Sequence, residues 1–385
     1  MDIAIIAIAY NRPQGLFRLL NSLNAAHYPD KDVTLIISID KSDTDTVERA
    51  ADAFVWNHGT KRVKKHNENL GLHKHIMSQG EELDRYDAII VLEDDIVVSP
   101  AFYTFASQCV EKYHDNDDIA GISLYSFPVN SLNELPFSPA KDGHDVFMMN
   151  IAQSWGEVWM RRQWREFYAW YEQNKDFGPS DAVPHMLFTW TRSWLKYHTR
   201  FCIENNRYFI YPYYSFSTNY GEAGTHSAFD QPHYQTVLQM NIEGELRLPE
   251  TPAEAVCYDG FFENKAMYAA LGLTPDTCCL DISGVRTPRE GQRFVLSTRS
   301  LPYKIVRSFG RILRPVEMNV LENVPGNEIF LYDMLSPDIC RRNARSQSFI
   351  YHHRIIDIVS LVRGYGIGRL TRDILSRVIE KISHR

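Results

Sequence analysis

The residues best suited to chemistry stand in the stretch "IIVLEDDIVVSP", where Glu93, Asp94 and Asp95 follow a run of apolar residues. Adjacent carboxylates at the end of a buried strand repel one another and lose hydration. A divalent cation relieves both costs, and Mg²⁺ or Mn²⁺ often completes its shell with water and substrate phosphates. The stretch therefore favours a metal-bridged diphosphate. The alternative is a solvated strand end, or a cap for a helix that begins near Ser99.

Two other predicted strands also end in polar residues. "DIAIIAIAY" is followed by Asn11 and Arg12, and "VTLIISID" ends at Asp40. Helical patterns separate these strands, and such alternation predicts a parallel sheet with right-handed crossovers. Ligands of such sheets bind beyond the carboxyl ends of the strands. We therefore expect the three polar strand ends to meet along one edge and to form the site.

Further along, the pattern predicts one helix over "SWGEVWMRRQWREFYAWYEQN" and one strand over "RYFIYPYYSFSTN". Periodic signals weaken after residue 245. The last segment, "IIDIVSLVRGYGIGRLTRDILSRVIEKISHR", has an apolar helical stripe with basic residues between, and its three glycines argue against one continuous helix.

The order of the motifs resembles a known family. "IAYNRP", "SIDKS", "NENLGLHKHI" and "VLEDDIVVSPAFY" look like the nucleotide-sugar half of a GT-A-type glycosyltransferase. The E-D-D form followed by S-P-x-F is similar to inverting N-acetylglucosaminyltransferases of glycan processing and to bacterial polysaccharide glycosyltransferases of the family-two kind. The resemblance covers about residues 1–230. It implies a UDP-sugar donor and a Mn²⁺ or Mg²⁺ ion.

The resemblance also implies roles for single residues. Asp95 is the implied metal ligand, Asp94 and Glu93 contact the donor ribose and sugar, and Asp40 bonds the uracil or ribose. The other implied donor-binding residues line the nucleotide pocket or form the turn and helix start beside it: Tyr10, Asn11, Arg12, Asn69, Gly71 and Lys74. The alternative roles are a turn former for Asn11, a helix boundary for Gly71 and a solvated surface position for Lys74.

Trp155 and Gly156 stand where the resembled enzymes have a Gly-Trp segment that touches donor sugar and acceptor. An indole face stacks on a pyranose, and glycine lets the backbone approach closely. Tryptophans at helical spacing are otherwise core residues, as we predict for Trp164 and Trp170.

An inverting transfer needs a carboxylate base for the acceptor hydroxyl. The resembled enzymes carry an aspartate where this chain reads "WTRSWLKYH". Glu222 in "NYGEAGTHS" is the first candidate, Glu157 the second and Asp181 the third. His226 is implied to reach the metal or diphosphate, as a late histidine does in some similar enzymes. Each is otherwise an ordinary surface residue.

Charge is unevenly distributed along the chain. The net charge is −7, yet residues 286–385 hold 18 Lys+Arg against 9 Asp+Glu. An acidic body with a basic tail suggests an anionic partner. An interfacial helix on an anionic membrane would suit a lipid-linked acceptor, and the alternative is a helix packed on the body. Nucleic acid is not expected, because the chain is acidic overall and the basic residues are not interleaved with aromatic ones.

The six cysteines form no C-x-x-C pair, and no segment reads as a signal peptide or as a membrane span. We therefore predict a cytoplasmic protein, peripheral on the cytoplasmic face of the membrane if the tail binds lipid.

The predicted fold is α/β: a GT-A (Rossmann-like), mostly parallel sheet flanked by helices. Its catalytic domain is predicted over residues 1–245, with a donor half at 1–127 and an acceptor half at 128–245. A helical or irregular region follows at 246–385. The predicted function is metal-dependent, inverting sugar transfer from a UDP-sugar to a glycan, such as a lipid-linked polysaccharide.

Two other functions remain open at this stage. A catalytically inactive glycan- or nucleotide-binding relative would explain the missing aspartate. A sugar nucleotidyltransferase would need a Gly-rich phosphate loop after the first strand, where "YNRPQG" has one glycine.

Overall fold

The structure is a computed structural model that describes residues 1–28, 32–178, 180–191, 193–222, 232–338, 351 and 355–383. A nine-stranded sheet carries helices on both faces, and a separate four-stranded sheet follows it in the chain. This arrangement confirms the predicted α/β class.

The described strands and helices have the following bounds. The strands are β1 Ile3–Ala9, β2 Leu35–Ile39, β3 Lys61–Lys65, β4 Ala88–Glu93, β5 Ile96–Val98, β6 Ile119–Ser123, β7 Val146–Met149, β8 Glu157–Met160, β9 Tyr208–Pro212, β10 Ser217–Asn219, β11 Cys257–Tyr258, β12 Cys278–Asp281, β13 Phe294–Ser297, β14 Tyr303–Phe309 and β15 Ile329–Pro337. The helices are α1 Pro13–Asn24, α2 Thr46–Ala53, α3 Gly71–Met77, α4 Phe102–Tyr113, α5 Arg161–Gln173, α6 Met186–Thr189, α7 Leu195–Glu204, α8 Ala266–Leu271 and α9 Met318–Leu321, followed by two tail helices, Ile355–Tyr365 and Ile367–Ser383.

The strand order of the large sheet is β11-β7-β9-β6-β8-β4-β1-β2-β3. Strands β1 to β4 are parallel, β6 and β9 are parallel, and β8 lies antiparallel between β4 and β6. The two reversals at β8 cancel, so β6 and β9 point the same way as β4. The carboxyl ends of β1, β2, β4, β6 and β9 therefore share one edge.

Both faces of the central strands are covered, which explains why β1 and β2 are buried along their whole length and are apolar except at Ser38. Leu16 of α1 and Phe102 of α4 belong to the core on one face. Ile76 of α3, Phe167 of α5 and Phe201 of α7 belong to the core on the other. The helices thus hold the loops at the carboxyl edge from two sides.

Strand β3 is an edge strand with the sequence "KRVKK". Lys61 Nζ donates hydrogen bonds to the carbonyl oxygens of Ala51, Asp52 and Phe54 at 2.9, 2.8 and 2.6 Å. These carbonyls lie at the carboxyl end of α2, where a positive charge is favourable. Lysines on an edge strand also discourage pairing with another chain.

The helix predicted from Ser154 onwards was wrong at its start. Glu157–Met160 forms β8, and α5 begins only at Arg161. Pairing with β4 and β6 on both sides overrides the local helical pattern. The strand predicted over residues 207–219 likewise divides into β9 and β10.

The C-terminal region is more regular than predicted. Strands β12-β13-β15-β14 form a four-stranded sheet with its own apolar core, which includes Leu280, Leu296 and Phe309. The expectation of a helical or irregular region was therefore wrong for residues 278–337. The domain boundary at residue 245 stays a prediction; β11, beyond it, pairs with β7 of the large sheet.

The two tail helices are separated at Gly366, which has a φ of +76°. Across the described ranges, no helix is both long and apolar enough to cross a membrane. The five cysteines in those ranges are free thiols.

Candidate active site

The polar ends of three parallel strands meet at one edge of the sheet, as predicted. Ala9 of β1 lies opposite Ile39 of β2, and Ile8 lies opposite Glu93 of β4. The residues that follow these strands, from Tyr10, Asp40 and Asp94 onward, are therefore neighbours in space.

Arg12 supplies the positive charge beside the acidic strand end. Its guanidinium forms a short ion pair with Asp94, and its Nη2 atom lies 3.4 Å from Oδ2 of Asp95. Burial lowers the pKa of Arg12, but the charges of Asp94 and Asp95 outweigh this and raise it. Arg12 stands directly before Pro13, the first residue of α1, so the start of that helix fixes its position.

The three acids differ in how well they are compensated. Burial, together with the charges of Asp95 and Asp94, raises the pKa of Glu93 well above its ordinary value. Burial also raises the pKa of Asp94, to about 6, against the opposing effect of Arg12. The Oδ1 atom of Asp95 is buried and has no hydrogen-bond partner. The site thus holds more negative charge and acceptor capacity than Arg12 satisfies.

A buried carboxylate oxygen without a hydrogen-bond partner, such as Oδ1 of Asp95, is a suitable ligand for a divalent cation. Within the described ranges, no group of three or more His, Cys, Asp or Glu side chains is arranged to hold a metal by itself. Mg²⁺, however, is commonly bound through one or two carboxylates plus substrate phosphates, and the end of β4 offers that donor set. His226, the other predicted metal ligand, lies outside the described residues.

Asp40 fixes the turn that leads into α3. Its Oδ1 accepts the N–H of Leu70 at 2.8 Å, and its Oδ2 accepts the N–H of Gly71 at 2.9 Å. Gly71 has a φ of +72°, which favours glycine. The side chain of Asn69 donates to the carbonyl oxygen of Lys41 at 2.9 Å. Asp40 thus holds the predicted nucleotide-binding turn in place, and its contact with uracil or ribose stays a prediction.

Three other predicted donor-binding residues are solvent-exposed. Tyr10 and Asn11 follow β1, and Lys74 lies on α3. Their exposure leaves them free to contact a ligand that lies over the edge.

The loop after β10 brings Glu222 to the same edge. Strand β10 pairs antiparallel with β5, and the N–H of Tyr220 donates to the carbonyl oxygen of Asp95 at 2.8 Å. Glu222 forms a short ion pair with Arg18 of α1, whose guanidinium lies 4.1 Å from the centroid of the Tyr220 ring. A carboxylate therefore lies close to the acidic strand end and remains 41% exposed.

Trp155 is half-buried, and its ring contacts Tyr125 and Tyr234 at centroid distances of 4.9 and 5.2 Å. Gly156 has a φ of +98°, and a Cβ atom there would lie 2.8 Å from Oγ of Ser217. The backbone at this position therefore requires glycine. Trp164 is buried and stacks on Trp159 at 3.9 Å, as its predicted core role requires.

Glu157 lies in the core, away from solvent. Its Oε1 is 3.1 Å from Nδ1 of His198, without hydrogen-bond geometry, and both side chains are 1% exposed. Burial raises the pKa of Glu157 well above its ordinary value and lowers that of His198 to about 3, so both groups are neutral. This position does not suit a base that must reach an acceptor hydroxyl. The third candidate, Asp181, is exposed.

No sequence motif indicated Arg18 or Tyr220. Arg18 lies six residues after Arg12 on α1, and Tyr220 follows the end of β10 directly. Arg18 could have been predicted as a basic residue on α1, the helix that begins next to the acidic end of β4. No local signal marked Tyr220, because its contact with Asp95 depends on the β5–β10 pairing.

The mostly parallel sheet with polar strand ends at one edge is GT-A-like. Residues 4–179 match the profile of the family described as "Glycosyl transferase family 2". This matched segment, less than half of the chain, thus has the pattern of a family 2 glycosyltransferase domain.

No curated protein matches the chain. Similar solved structures include S. aureus TarS 1-349 in complex with UDP-GlcNAc, with 15% identity, a TM-score of 0.37 and coverage of 56% of this chain and 58% of that one. Another is the mannosyltransferase PcManGT from Pyrobaculum calidifontis in complex with GDP-Man and Mn²⁺, with 12% identity, a TM-score of 0.34 and coverage of 55% and 56%. This chain thus spans less than two thirds of either solved chain. At such low similarity, nothing about substrate or metal follows from them.

Proposed function

We propose that the protein is a metal-dependent, inverting glycosyltransferase that moves a sugar from a UDP-sugar to a glycan acceptor. The observation that carries the proposal is the buried, unpartnered Oδ1 of Asp95 beside Glu93 and Asp94, whose pKa values are raised. Excess negative charge at a strand end is costly unless a cation is bound there.

In this proposal Asp95 would hold Mn²⁺ or Mg²⁺. When bound, the ion would supply Lewis-acid stabilisation of the UDP leaving group. Tyr10, Asn11 and Lys74 bind the nucleotide from the exposed rim, while Asp40 keeps the turn at Gly71 in position.

Glu222 is the proposed base. It takes the proton of the acceptor hydroxyl as that oxygen attacks the anomeric carbon from the face opposite UDP. Its ion pair with Arg18 holds the carboxylate near the end of β4. Trp155, whose carbonyl oxygen accepts a hydrogen bond from Ser217 of β10, is the proposed packing surface for the sugar ring.

Calorimetric titration of UDP tests the proposal directly. Binding should require Mn²⁺ or Mg²⁺, vanish in EDTA and weaken by at least about tenfold in Asp95→Asn. Asp84→Asn, at an exposed acid on the body, is the matched control and should bind as wild type does. Equal UDP affinity with and without metal would contradict the metal-bridged site.

We also propose that the tail helices bind an anionic membrane surface, placing the enzyme on the cytoplasmic face beside a lipid-linked acceptor. Leu361, Ile367 and Ile374 are 48%, 69% and 61% exposed. Arg369 and Arg372 lie on the same helix as Ile367 and Ile374. Exposed aliphatic residues with interleaved arginines suit the interface of an anionic bilayer.

Sedimentation with vesicles tests this second proposal. The protein should pellet with vesicles that contain phosphatidylglycerol and remain in solution with pure phosphatidylcholine. The double variant Ile367→Ser/Ile374→Ser should lose binding, whereas Val237→Ser, which changes an 85% exposed residue outside the tail, should keep it. Unchanged pelleting of the double variant would show that the tail is not the membrane contact.

A further inference from the structure

We propose that a groove beside the end of β9 binds a neutral glycan chain, as a subsite for the part of the acceptor that does not react. The role as an acceptor subsite rests on the proposed function; glycan binding itself does not. The groove has a volume of about 510 Å³ and lies between α4, the ends of β7 and β9, and residues 239–247. Its volume is within the usual range for ligand sites.

The groove lies on the same sheet edge as the candidate active site. Strands β9 and β4 are three positions apart in the sheet, which corresponds to about 14 Å. One continuous segment joins the two places: it leaves β9 at Tyr213, pairs with β5 as β10, and reaches Asp95 through the N–H of Tyr220. A ligand that touched both places would be longer than one sugar ring, so the subsite calls for an oligosaccharide.

An exposed aromatic ring stands at the wall of the groove. Tyr214 is 59% exposed, and Lys141 Nζ donates to its hydroxyl at 3.1 Å while lying 4.5 Å from the ring centroid. Below it, Phe105 and Phe216 stack at 4.5 Å and are buried. An aromatic ring held in place at the edge of a groove is suited to the apolar C–H face of a sugar.

The other lining groups suit hydroxyls rather than anions. Gln239 and Asn241 contribute amides, and acids at positions 243 and 245 contribute acceptors. Arg247 is paired with Asp145 at 2.7 Å. Lys141 and Arg247 thus face three acids, so the groove carries no positive excess for a phosphorylated or sulfated polymer. Hydroxyls of a neutral glycan can both donate to the carboxylates and accept from the amides.

Binding to an array of immobilised oligosaccharides, without nucleotide, tests the proposal. The array carries neutral hexose and N-acetylhexosamine chains, from mono- to hexasaccharides, with sulfated and phosphorylated counterparts. Wild type should bind neutral oligosaccharides better than monosaccharides or charged chains. Tyr214→Ala should bind about tenfold more weakly, because one stacking contact is lost.

The matched control is Tyr168→Ala, which removes another exposed tyrosine on α5. It should bind as wild type does. Lys141→Ala is a second groove variant and should also weaken binding, so the result does not depend on how Tyr214→Ala folds. Absence of glycan binding by wild type, a preference for charged chains, or wild-type binding by both groove variants would overturn the proposal.

The UDP titration distinguishes this proposal from the proposed function. Tyr214→Ala should bind UDP with the wild-type Kd, since the groove lies apart from the end of β4. Glycan binding without UDP binding would support the glycan subsite and contradict the proposed glycosyltransferase function. UDP binding without glycan binding would contradict the glycan subsite and leave the proposed function supported.

Discussion

The N–H of Tyr220 donates a 2.8 Å hydrogen bond to the carbonyl oxygen of Asp95, which ties the loop of the candidate base to the candidate metal ligand. Helix α1 contacts both the acidic strand end and the loop that carries the candidate base. Arg12 at its start binds Asp94, and Arg18 in its second turn binds Glu222. A single helix thus positions the acidic strand end and the proposed base relative to each other.

Replacement of the proposed base should separate chemistry from donor binding. We expect Glu222→Gln to lower kcat by about 10²- to 10⁴-fold, because general-base catalysis is lost, while the Kd for UDP stays within about twofold. Glu172→Gln, which also breaks a surface ion pair, is the control and should keep full activity. A kcat close to wild type would exclude Glu222 as the base.

Loss of Arg12 should destabilise the metal-free protein more than the metal-bound one. In Arg12→Met, Asp94 is left buried without its partner, and we expect the free energy of unfolding in EDTA to fall by about 1–3 kcal/mol. Mn²⁺ should reduce that loss, since it takes over part of the compensation. Urea unfolding measures both values.

Arg165→Met is the control for this experiment, because it breaks an exposed pair with Asp84 and should cost less than about 1 kcal/mol. An equal loss for Arg12→Met with and without metal would argue against a cation at the end of β4.

The acidic strand end should make stability depend on pH. Burial holds the pKa of Asp94 at about 6 in the folded protein, above the ordinary value of an aspartate. Asp94 therefore binds more protons in the folded than in the unfolded state between about pH 4 and 6, and its contribution to the free energy of unfolding falls as pH rises through that window.

Urea unfolding in EDTA at several pH values tests this. Asp94→Asn should have a shallower slope than wild type between about pH 4 and 6, with a difference of about 2 kcal/mol across the window. Identical slopes would mean that Asp94 is not the group responsible.

Gly156→Ala should be strongly destabilising. The φ of +98° is unfavourable for alanine, and the added Cβ would lie 2.8 Å from Ser217 Oγ and 3.1 Å from Leu124 Cβ. We expect the free energy of unfolding to fall by about 2–4 kcal/mol, which thermal unfolding detects as a lower Tm. Gly143→Ala shares a φ of +100° but meets open space, so it should lose only the part due to φ. Equal losses would mean that the contact with Ser217 is unimportant.

Much of the structure of residues 1–127 could be predicted from local patterns. The apolar runs of β1, β2 and β4 are long and end sharply in polar residues, and a parallel sheet requires such ends to lie together. The acidic stretch after β4 was visible for the same reason. Strand β8 could not be predicted in this way. Glu157–Met160 stands in a segment with a helical pattern and forms a strand only because it pairs with β4 and β6.

The arrangement of residues 128–245 depended on contacts between distant parts of the chain. Glu222 was predicted ahead of Glu157, although both acids stand next to a glycine in the sequence. The sheet buries Glu157 beside His198, whereas the β5–β10 pairing carries Glu222 to the edge. The same holds for the groove at Tyr214, whose walls come from α4, β7, β9 and a later segment.

The sequence by itself determined the α/β class, the polar edge and the acidic residues at the end of β4, because strand periodicity and strand ends are local properties. Only the tertiary structure decided which arginine opposes those acids and which glutamate lies in the loop that contacts Asp95. These depend on burial and on distances between residues that are remote in the chain, and no local pattern encodes either.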